Sequence, residues 1–468
     1  MGDATTDLDL LIIGSGSGNS ILTDEHAGWR VGIVERGTFG GTCLNVGCIP
    51  SKMLVLPAGR VTEAREAARL GVDLRLDGVD WPAIRDRVFG RIDPISAGGL
   101  DWRRQQSGVT VFEGDARCTG PHTVAVRAAD GSVTELVSER IVLAAGARAS
   151  VPPVPGLSEV PFHTSDTLMR VDRLPEHLLV LGGGFIAAEM GHVFAALGSR
   201  VSLVHRGDRL LRHEDVDVSV RFTESFSNRA FLHLNAEVRS VAHVDGEFVV
   251  EVERDDPGRE PALEVLTGDA LLVATGRVPN GGQLNVTALG ARLDAGGYVV
   301  TDDTLRTDAP GVWALGDIRN RLQLKHLANQ EARVVSHNLL HPDRPARIDQ
   351  RVVPHAVFSH PEVGSVGERE VDLRARRHPY RVGRCDYAGV AYGWALEDTT
   401  GFAKVLVCAE TGLLLGGHVV GPQAATLVQQ LVQAMQFGIP AERLAREQIW
   451  CHPALGEVLE NALLDAAG

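Results

Sequence analysis

Two short apolar runs in this chain are each followed at once by glycine. Leu8-Asp9-Leu10-Leu11-Ile12-Ile13 leads into Gly14-Ser15-Gly16-Ser17-Gly18-Asn19, and Leu178-Leu179-Val180-Leu181 leads into Gly182-Gly183-Gly184-Phe185-Ile186-Ala187. Apolar runs of this length, bounded by turn residues, read as buried strands. After each turn a helix-length segment precedes a second apolar run, Val31-Gly32-Ile33-Val34-Glu35 and Val201-Ser202-Leu203-Val204. Strand, glycine turn, helix and strand make the fingerprint of a dinucleotide-binding unit, and here it occurs twice. Between the units the pattern predicts a helix over 51–70 interrupted at Pro57, and a second over 81–106. It then predicts a strand at Val109–Phe112, a hairpin turning at Asp130-Gly131, and a strand over Ile141–Gly146. Val151-Pro152-Pro153-Val154-Pro155-Gly156 reads as a linker. From Val352 to Val420 the signal is strand and turn, and from Ala424 it is helical.

Composition narrows the partners. At 468 residues the chain has room for about three domains, and 44% apolar content supplies their cores. A formal net charge of −14 disfavours nucleic acid. No apolar run reaches the roughly 18 residues that a bilayer span needs. The opening Met1-Gly2-Asp3 is acidic where a secretory leader is basic, so a cytoplasmic protein is expected. Met1-Gly2 with Thr6 has the outline of an acylation signal, against which Asp3 argues. In a reducing compartment a disulfide would be catalytic rather than structural. Lysine occurs only at 52, 325 and 404, against 43 arginines. Arginine codons are GC-rich, so the bias speaks of a GC-rich bacterial genome and makes each lysine conspicuous.

Cys43 and Cys48 frame Gly40-Gly41-Thr42-Cys43-Leu44-Asn45-Val46-Gly47-Cys48-Ile49-Pro50-Ser51-Lys52. On a regular helix, Cα atoms five apart are roughly 8–9 Å from each other, whereas a disulfide spans about 4.4–6.8 Å. A bridge here needs an irregular turn, for which Asn45 and Gly47 are the tolerant residue types. Pro50 suits the first turn of a helix, which would put Lys52 one turn after Cys48. An ammonium and a helix N-terminus both favour a thiolate. The stretch reads as a redox dithiol with one stabilised sulfur; two inert thiols and half of a zinc site are the other readings.

This stretch resembles the redox motif of the flavin-dependent pyridine nucleotide–disulfide oxidoreductases, and the resemblance extends over essentially the whole chain. It implies an α/β fold: two Rossmann-like dinucleotide-binding domains, for FAD and NADPH, and a C-terminal α+β dimerisation domain. The boundaries implied are 1–150 for the first part of the FAD domain, 151–276 for the NADPH domain, 277–344 for the second FAD or central part, and 345–468 for the interface domain. FAD would use Gly14, Gly16, Ser17 and Gly18 of the first turn, Glu35 on a ribose hydroxyl, and Thr42 and Lys52. The backbone at Gly114 and Ala116 would meet adenine, and Gly146 would end the strand returning to the flavin. Asp317, in Gly311-Val312-Trp313-Ala314-Leu315-Gly316-Asp317, would bind the ribitol chain, with Leu327 and Ala328 near the flavin pyrimidine. NADPH would use Gly182, Gly184, Phe185, Ile186, Glu189 and Gly276. An NAD site wants an acid after the second strand. This chain has His205-Arg206, and Arg206 and Arg212 match the arginines that hold a 2′-phosphate in NADPH-using members.

The catalytic residues follow from the same resemblance. Cys43 and Cys48 would form the redox disulfide, Cys48 facing the flavin and Cys43 attacking the substrate. Lys52 would pair with Glu189. His452, before Pro453, would be the acid/base and Glu457 its partner; the peptide between His452 and Pro453 is expected cis. No metal is implied. The partner is a small-molecule disulfide, and the assembly a homodimer with shared sites. The tail lacks the cysteine pair of mercuric reductases and large thioredoxin reductases, and Arg206 disfavours lipoamide dehydrogenase. GSGSGN with Asn19, and HPALGEVLENALL near the end, look most like the branch reducing mycothione, the disulfide of mycothiol. Glutathione disulfide reduction or dihydrolipoamide dehydrogenation is the alternative. A non-catalytic flavin redox sensor is more remote, since Cys43, Cys48, Lys52 and His452 are all present.

Overall fold

The computed structural model describes residues 5–258 and 260–468; the acylation outline at Met1-Gly2 lies outside them. The chain divides into two compact units. One comprises the residues up to Pro50, Asp86–Ser150 and Arg277–Asp349, the other Ser51–Arg85, Val151–Gly276 and Gln350–Gly468. The mixture of parallel sheets, antiparallel sheets and helices is the expected α/β class, completed by a C-terminal α+β layer.

The first unit is built on a five-stranded parallel sheet, in the order Val312–Ala314, Ile141–Leu143, Leu10–Ile13, Val31–Glu35, Val109–Glu113. Leu10, Leu11 and Ile12 are fully buried, so the central strand is apolar on both faces, as a covered parallel strand must be. A second sheet carries the hairpin Thr123–Arg127 and Val133–Ser138, which turns at Gly131 with φ +85°.

Two local expectations fail here. The segment after the first glycine turn is not a full helix but two short 3₁₀ turns, Ser17–Ile21 and Asp24–His26. The Thr23 hydroxyl and backbone amide both bond the His26 ring across the second turn, and such local bonds compete with helix propagation. Pro57 does not interrupt its helix either, which runs unbroken from Cys48 to Glu66. Trp81–Gln105 likewise continues through Pro94. Both helices are long enough for their remaining turns to outweigh one proline.

The second unit contains a four-stranded parallel sheet, Phe231–His233, Arg200–Val204, His177–Leu181, Ala270–Val273. Here the glycine turn does open a full helix, Phe185–Leu197. A separate antiparallel sheet of five strands covers His355–Asp386 and Phe402–Val420 and is backed by the helices Ala424–Gln436 and Gly456–Ala467. The packing is close: a Cβ on Gly383 would stand 2.0 Å from the Ala462 carbonyl oxygen. Lys404, on the interior strand Phe402–Cys408, is 2% exposed. Its ammonium donates to Asp215 at 2.8 Å and to Asp217 and Glu370 at 2.7 Å each. Three anions around one buried cation satisfy all its donors and offset its desolvation. No described helix is long and apolar enough to cross a membrane.

Candidate active site

In the first unit the glycine turn is built by steric exclusion. Gly14 has φ +108°, and a Cβ there would meet the Ala144 carbonyl oxygen at 2.3 Å. A Cβ on Gly18 would stand 2.7 Å from that of Ala144. Gly18 therefore supplies the close packing usually associated with the third fingerprint glycine. Asn19, at that third position, does something else. Its side-chain oxygen accepts from Arg103 Nε at 2.6 Å and its backbone oxygen from Arg103 Nη2 at 2.5 Å, which ties the helix Trp81–Gln105 to the turn.

Glu35 points back into the same turn. One carboxylate oxygen accepts from the Ser15 amide at 3.0 Å and hydroxyl at 2.6 Å, and the other from the Gly37 amide at 2.9 Å. The Gly114 amide donates to the Glu35 carbonyl at 2.9 Å, so the backbone before Ala116 borders the acid. Asp317 is half-buried after the strand Val312–Ala314. Burial pushes its carboxyl up, opposed by Arg277 and Lys325. Leu327 and Ala328 are buried on the helix Lys325–Leu340, and Gly146, with φ +62°, accepts from the Asn280 amide at 3.0 Å. A turn admitting only glycine, an acid at its rim and a half-buried carboxyl wanting hydroxyl donors fit the pyrophosphate, ribose and ribitol of FAD.

The dithiol is held by a different device from the one expected. The unusual backbone angles lie at Gly40 (φ +103°) and Gly41 (φ +73°), ahead of the helix Gly41–Asn45, and not at Asn45 or Gly47. Asn45 is buried, and its amide donates to the Thr38, Phe39 and Gly41 carbonyls at 3.2, 2.9 and 3.1 Å. Gly47 is needed for room, because a Cβ there would stand 2.9 Å from the Thr42 carbonyl oxygen. Thr42 itself accepts from the Val46 amide at 2.9 Å. Cys48 then starts the helix Cys48–Glu66, with Lys52 one turn on. The two cysteines are brought together, with Cys43 hydrogen-bonded to Cys48. That bond, then burial, pushes the Cys43 thiol far up, while Lys325 opposes the shift.

In the second unit Gly182 has φ +134°, and a Cβ on it would meet the Ala274 carbonyl oxygen at 2.2 Å. Gly184 caps the helix that begins with Phe185 and Ile186, Phe185 being half exposed. Gly276, φ +120°, follows the neighbouring strand. Arg206 and Arg212 are exposed beyond the strand Arg200–Val204. Lys52 Nζ donates to both oxygens of Glu189, at 2.7 and 2.6 Å. Glu189 is 5% exposed and also accepts from the Phe358 amide at 3.0 Å; the Lys52 ammonium lies 4.4 Å from the centre of the Phe358 ring. A desolvated carboxylate is thus matched by an ammonium that an aromatic face also favours.

His452 and Glu457 are brought together as well. His452 Nδ1 lies 2.8 Å from one Glu457 oxygen, and the other accepts from the Ala454 amide at 3.0 Å. The peptide between His452 and Pro453 is cis. His452, and then the Ala454 amide, hold the Glu457 carboxyl below the usual carboxylate range. The imidazole is exposed, as is Cys451 beside it. Sequence reading missed Ser15, Phe358, Asn45 as an anchor, and Lys325; only the scarcity of lysine marked the last.

The sequence model of the pyridine nucleotide-disulphide oxidoreductases matches residues 8–332, and that of their dimerisation domain matches residues 353–463. The chain belongs to this family of flavoprotein enzymes, which use FAD and NAD(P)H, and the matched dimerisation domain points to a homodimer. It is 46% identical over 470 residues to mycothione reductase of Mycobacterium tuberculosis, covering 97% of this chain and 98% of that one. It is 31% identical to the mitochondrial dihydrolipoyl dehydrogenase of Dictyostelium discoideum, covering 99% and 95%. Among solved structures, the Cu(II) complex of the HOCl-induced flavoprotein disulfide reductase RclA from Escherichia coli matches with a TM-score of 0.85 at 27% identity, covering 98% of this chain and 99% of that one.

Proposed function

We propose that the enzyme is an NADPH-dependent, cytoplasmic mycothione reductase. The observation that carries the substrate is the 46% identity to mycothione reductase, against 31% to dihydrolipoyl dehydrogenase over the same length. The exposed Arg206 and Arg212, standing where an NAD site wants an acid, support NADPH. Bound flavin supplies the exchange between hydride chemistry and sulfur chemistry. The chain's own residues do the rest. Cys48, at a helix N-terminus one turn from Lys52, is the sulfur placed to carry charge, and would be the one nearer the flavin when it is bound. Cys43 attacks the external disulfide. His452, held by Glu457, protonates the departing thiolate, because sulfur leaves more readily as thiol at neutral pH. Lys52 and Glu189 hold each other through both carboxylate oxygens, a pair that would stand near the flavin when it is bound.

Turnover with mycothione, glutathione disulfide and lipoamide tests the reading. Mycothione is expected to give the highest kcat/KM; a better value with glutathione disulfide or lipoamide overturns it. The homodimer is proposed to share its sites, the histidine of one subunit serving the cysteines of the other. Refolding Cys43→Ser and His452→Ala proteins together should then recover part of the activity, since a mixed dimer has one intact site. Mixed dimers with no recovery would place the histidine's action within one chain.

A further inference from the structure

The scheme above leaves one of the three lysines without a task. Lys325 opens the helix Lys325–Leu340, and its ammonium donates to the Ser17 hydroxyl at 2.8 Å. That hydroxyl is itself 3.3 Å from the side-chain oxygen of Asn329, one turn further along the same helix. Ser17 lies at the seam between the glycine turn and the dithiol loop. A Cβ on Gly41 would stand 2.5 Å from the Gly16 Cα, and the Gly40 amide donates to the Ser15 hydroxyl at 2.8 Å. Cys43 is two residues beyond Gly41 on the short helix that starts at this contact. The ammonium is therefore held by the turn on which the dithiol loop rests, and its charge opposes the upward push that the Cys48 hydrogen bond and burial give the Cys43 thiol. Cys48 and Lys325 both act on Cys43, and Lys325 acts on Asp317 as well, together with Arg277 and Glu331.

We propose that Lys325 is the second cation of the dithiol centre, a positioning residue that keeps the negative charge of the reduced pair available at Cys43. The proposal deepens the reading of Cys43 and Cys48 as the redox pair and rests on it. The reduced pair, having lost one proton, shares one negative charge, and its titration belongs to the pair. With a cation only on the Cys48 side, the charge would stay on Cys48. Turnover needs it on Cys43, whose thiolate forms a bond to one substrate sulfur while the other leaves with the electron pair and takes a proton. Cys48 thiolate then attacks the Cys43 sulfur, and the second substrate thiol leaves in the same way, so two thiols become one disulfide as one disulfide becomes two thiols. A compact ammonium on a flexible stem suits a charge that must be shared between thiolate and turn better than a planar guanidinium, which fits a chain otherwise built with arginine.

The test uses the flavin-loaded Cys48→Ser protein, in which Cys43 titrates alone. Its alkylation by iodoacetamide is followed against pH, with the modified peptide mapped by mass so that Cys451 is not mistaken for it. Lys325→Met is expected to move the midpoint to higher pH by about one unit and slow alkylation at neutral pH by about tenfold, with Lys325→Arg recovering part of the loss. An unchanged midpoint at full flavin content overturns the proposal. If Lys325→Met loses flavin, the comparison is repeated on flavin-free protein of both kinds; equal midpoints there make Lys325 a cofactor anchor and overturn the proposal too. Failure of the underlying reading looks different: Cys43→Ser and Cys48→Ser would each retain disulfide reduction.

Discussion

The two glycine turns are near-copies in backbone and opposites in charge. Gly14 and Gly182 have positive φ and stand against the carbonyl oxygens of Ala144 and Ala274 in the same way. The strand beyond the first turn ends in Glu35, folded back onto Ser15 and Gly37. The strand beyond the second ends at Val204 and is followed by His205 and Arg206, with Arg206 and Arg212 exposed. A full helix follows the second turn, whereas the first gives way to short 3₁₀ turns and is held from outside by Arg103. Under the proposed reading, one turn geometry would serve a ribose hydroxyl in the first unit and a phosphate in the second, with the residue at or just after the strand end making the choice.

The largest effects should separate the two turns completely. Alanine at Gly14 or Gly182 meets backbone within 2.3 Å in a conformation that costs an L-residue about 1–3 kcal/mol. Gly14→Ala protein should purify without flavin colour. Gly182→Ala protein should stay yellow but resist reduction by NADPH in a rapid-mixing experiment. If both lose flavin, the division of labour between the turns is wrong. Next in size, Arg206→Ala with Arg212→Ala should raise the KM for NADPH, each phosphate contact contributing about 1.5–3 kcal/mol, or roughly 10–100-fold. The KM for NADH should barely move; equal losses would mean the arginines do not read the phosphate. Smaller again, Glu35→Gln should weaken flavin retention by about tenfold, the scale of one charged hydrogen bond, in reconstitution of the flavin-free protein.

The smallest effect concerns Asp317, which lies outside both glycine turns. Burial, its first cause, raises this carboxyl above its unfolded value. Such a group is protonated in both states at low pH and costs stability once pH rises through its ordinary range, as the unfolded chain ionises first. Flavin-free Asp317→Asn protein should therefore lose less thermal stability than wild type between pH 3 and pH 7, while retaining flavin more weakly. Parallel melting curves for the two proteins would remove burial as the cause.

The parts legible in sequence were those written locally. Apolar runs ending in glycine located both parallel sheets, and Asp130-Gly131 marked its hairpin. Cys48, Pro50 and Lys52 gave the helix that starts the dithiol site. What local pattern could not show was distance. Lys52 and Glu189 are 137 residues apart and were linked only through family resemblance. Arg103 with Asn19, Lys325 with Ser17 and Lys404 with Asp215 have no shared periodicity to betray them. Pro57 misled because propensity is a weak prior inside a 19-residue helix. Asn45 and Gly47 were noticed for permissive backbone angles, but one serves as a three-way donor and the other as empty space.

Lys404 has a practical consequence. Its ammonium is walled in by Asp215, Asp217 and Glu370, so an acylating reagent reaches it only when its unit opens. Labelling of the peptide around residue 404, followed over time in rising urea, becomes a clock for that opening. Because lysine occurs at only two other positions, the signal carries almost no background. The arginine-rich sequence thereby leaves Lys404 as the buried amine of a unit whose other lysine is Lys52.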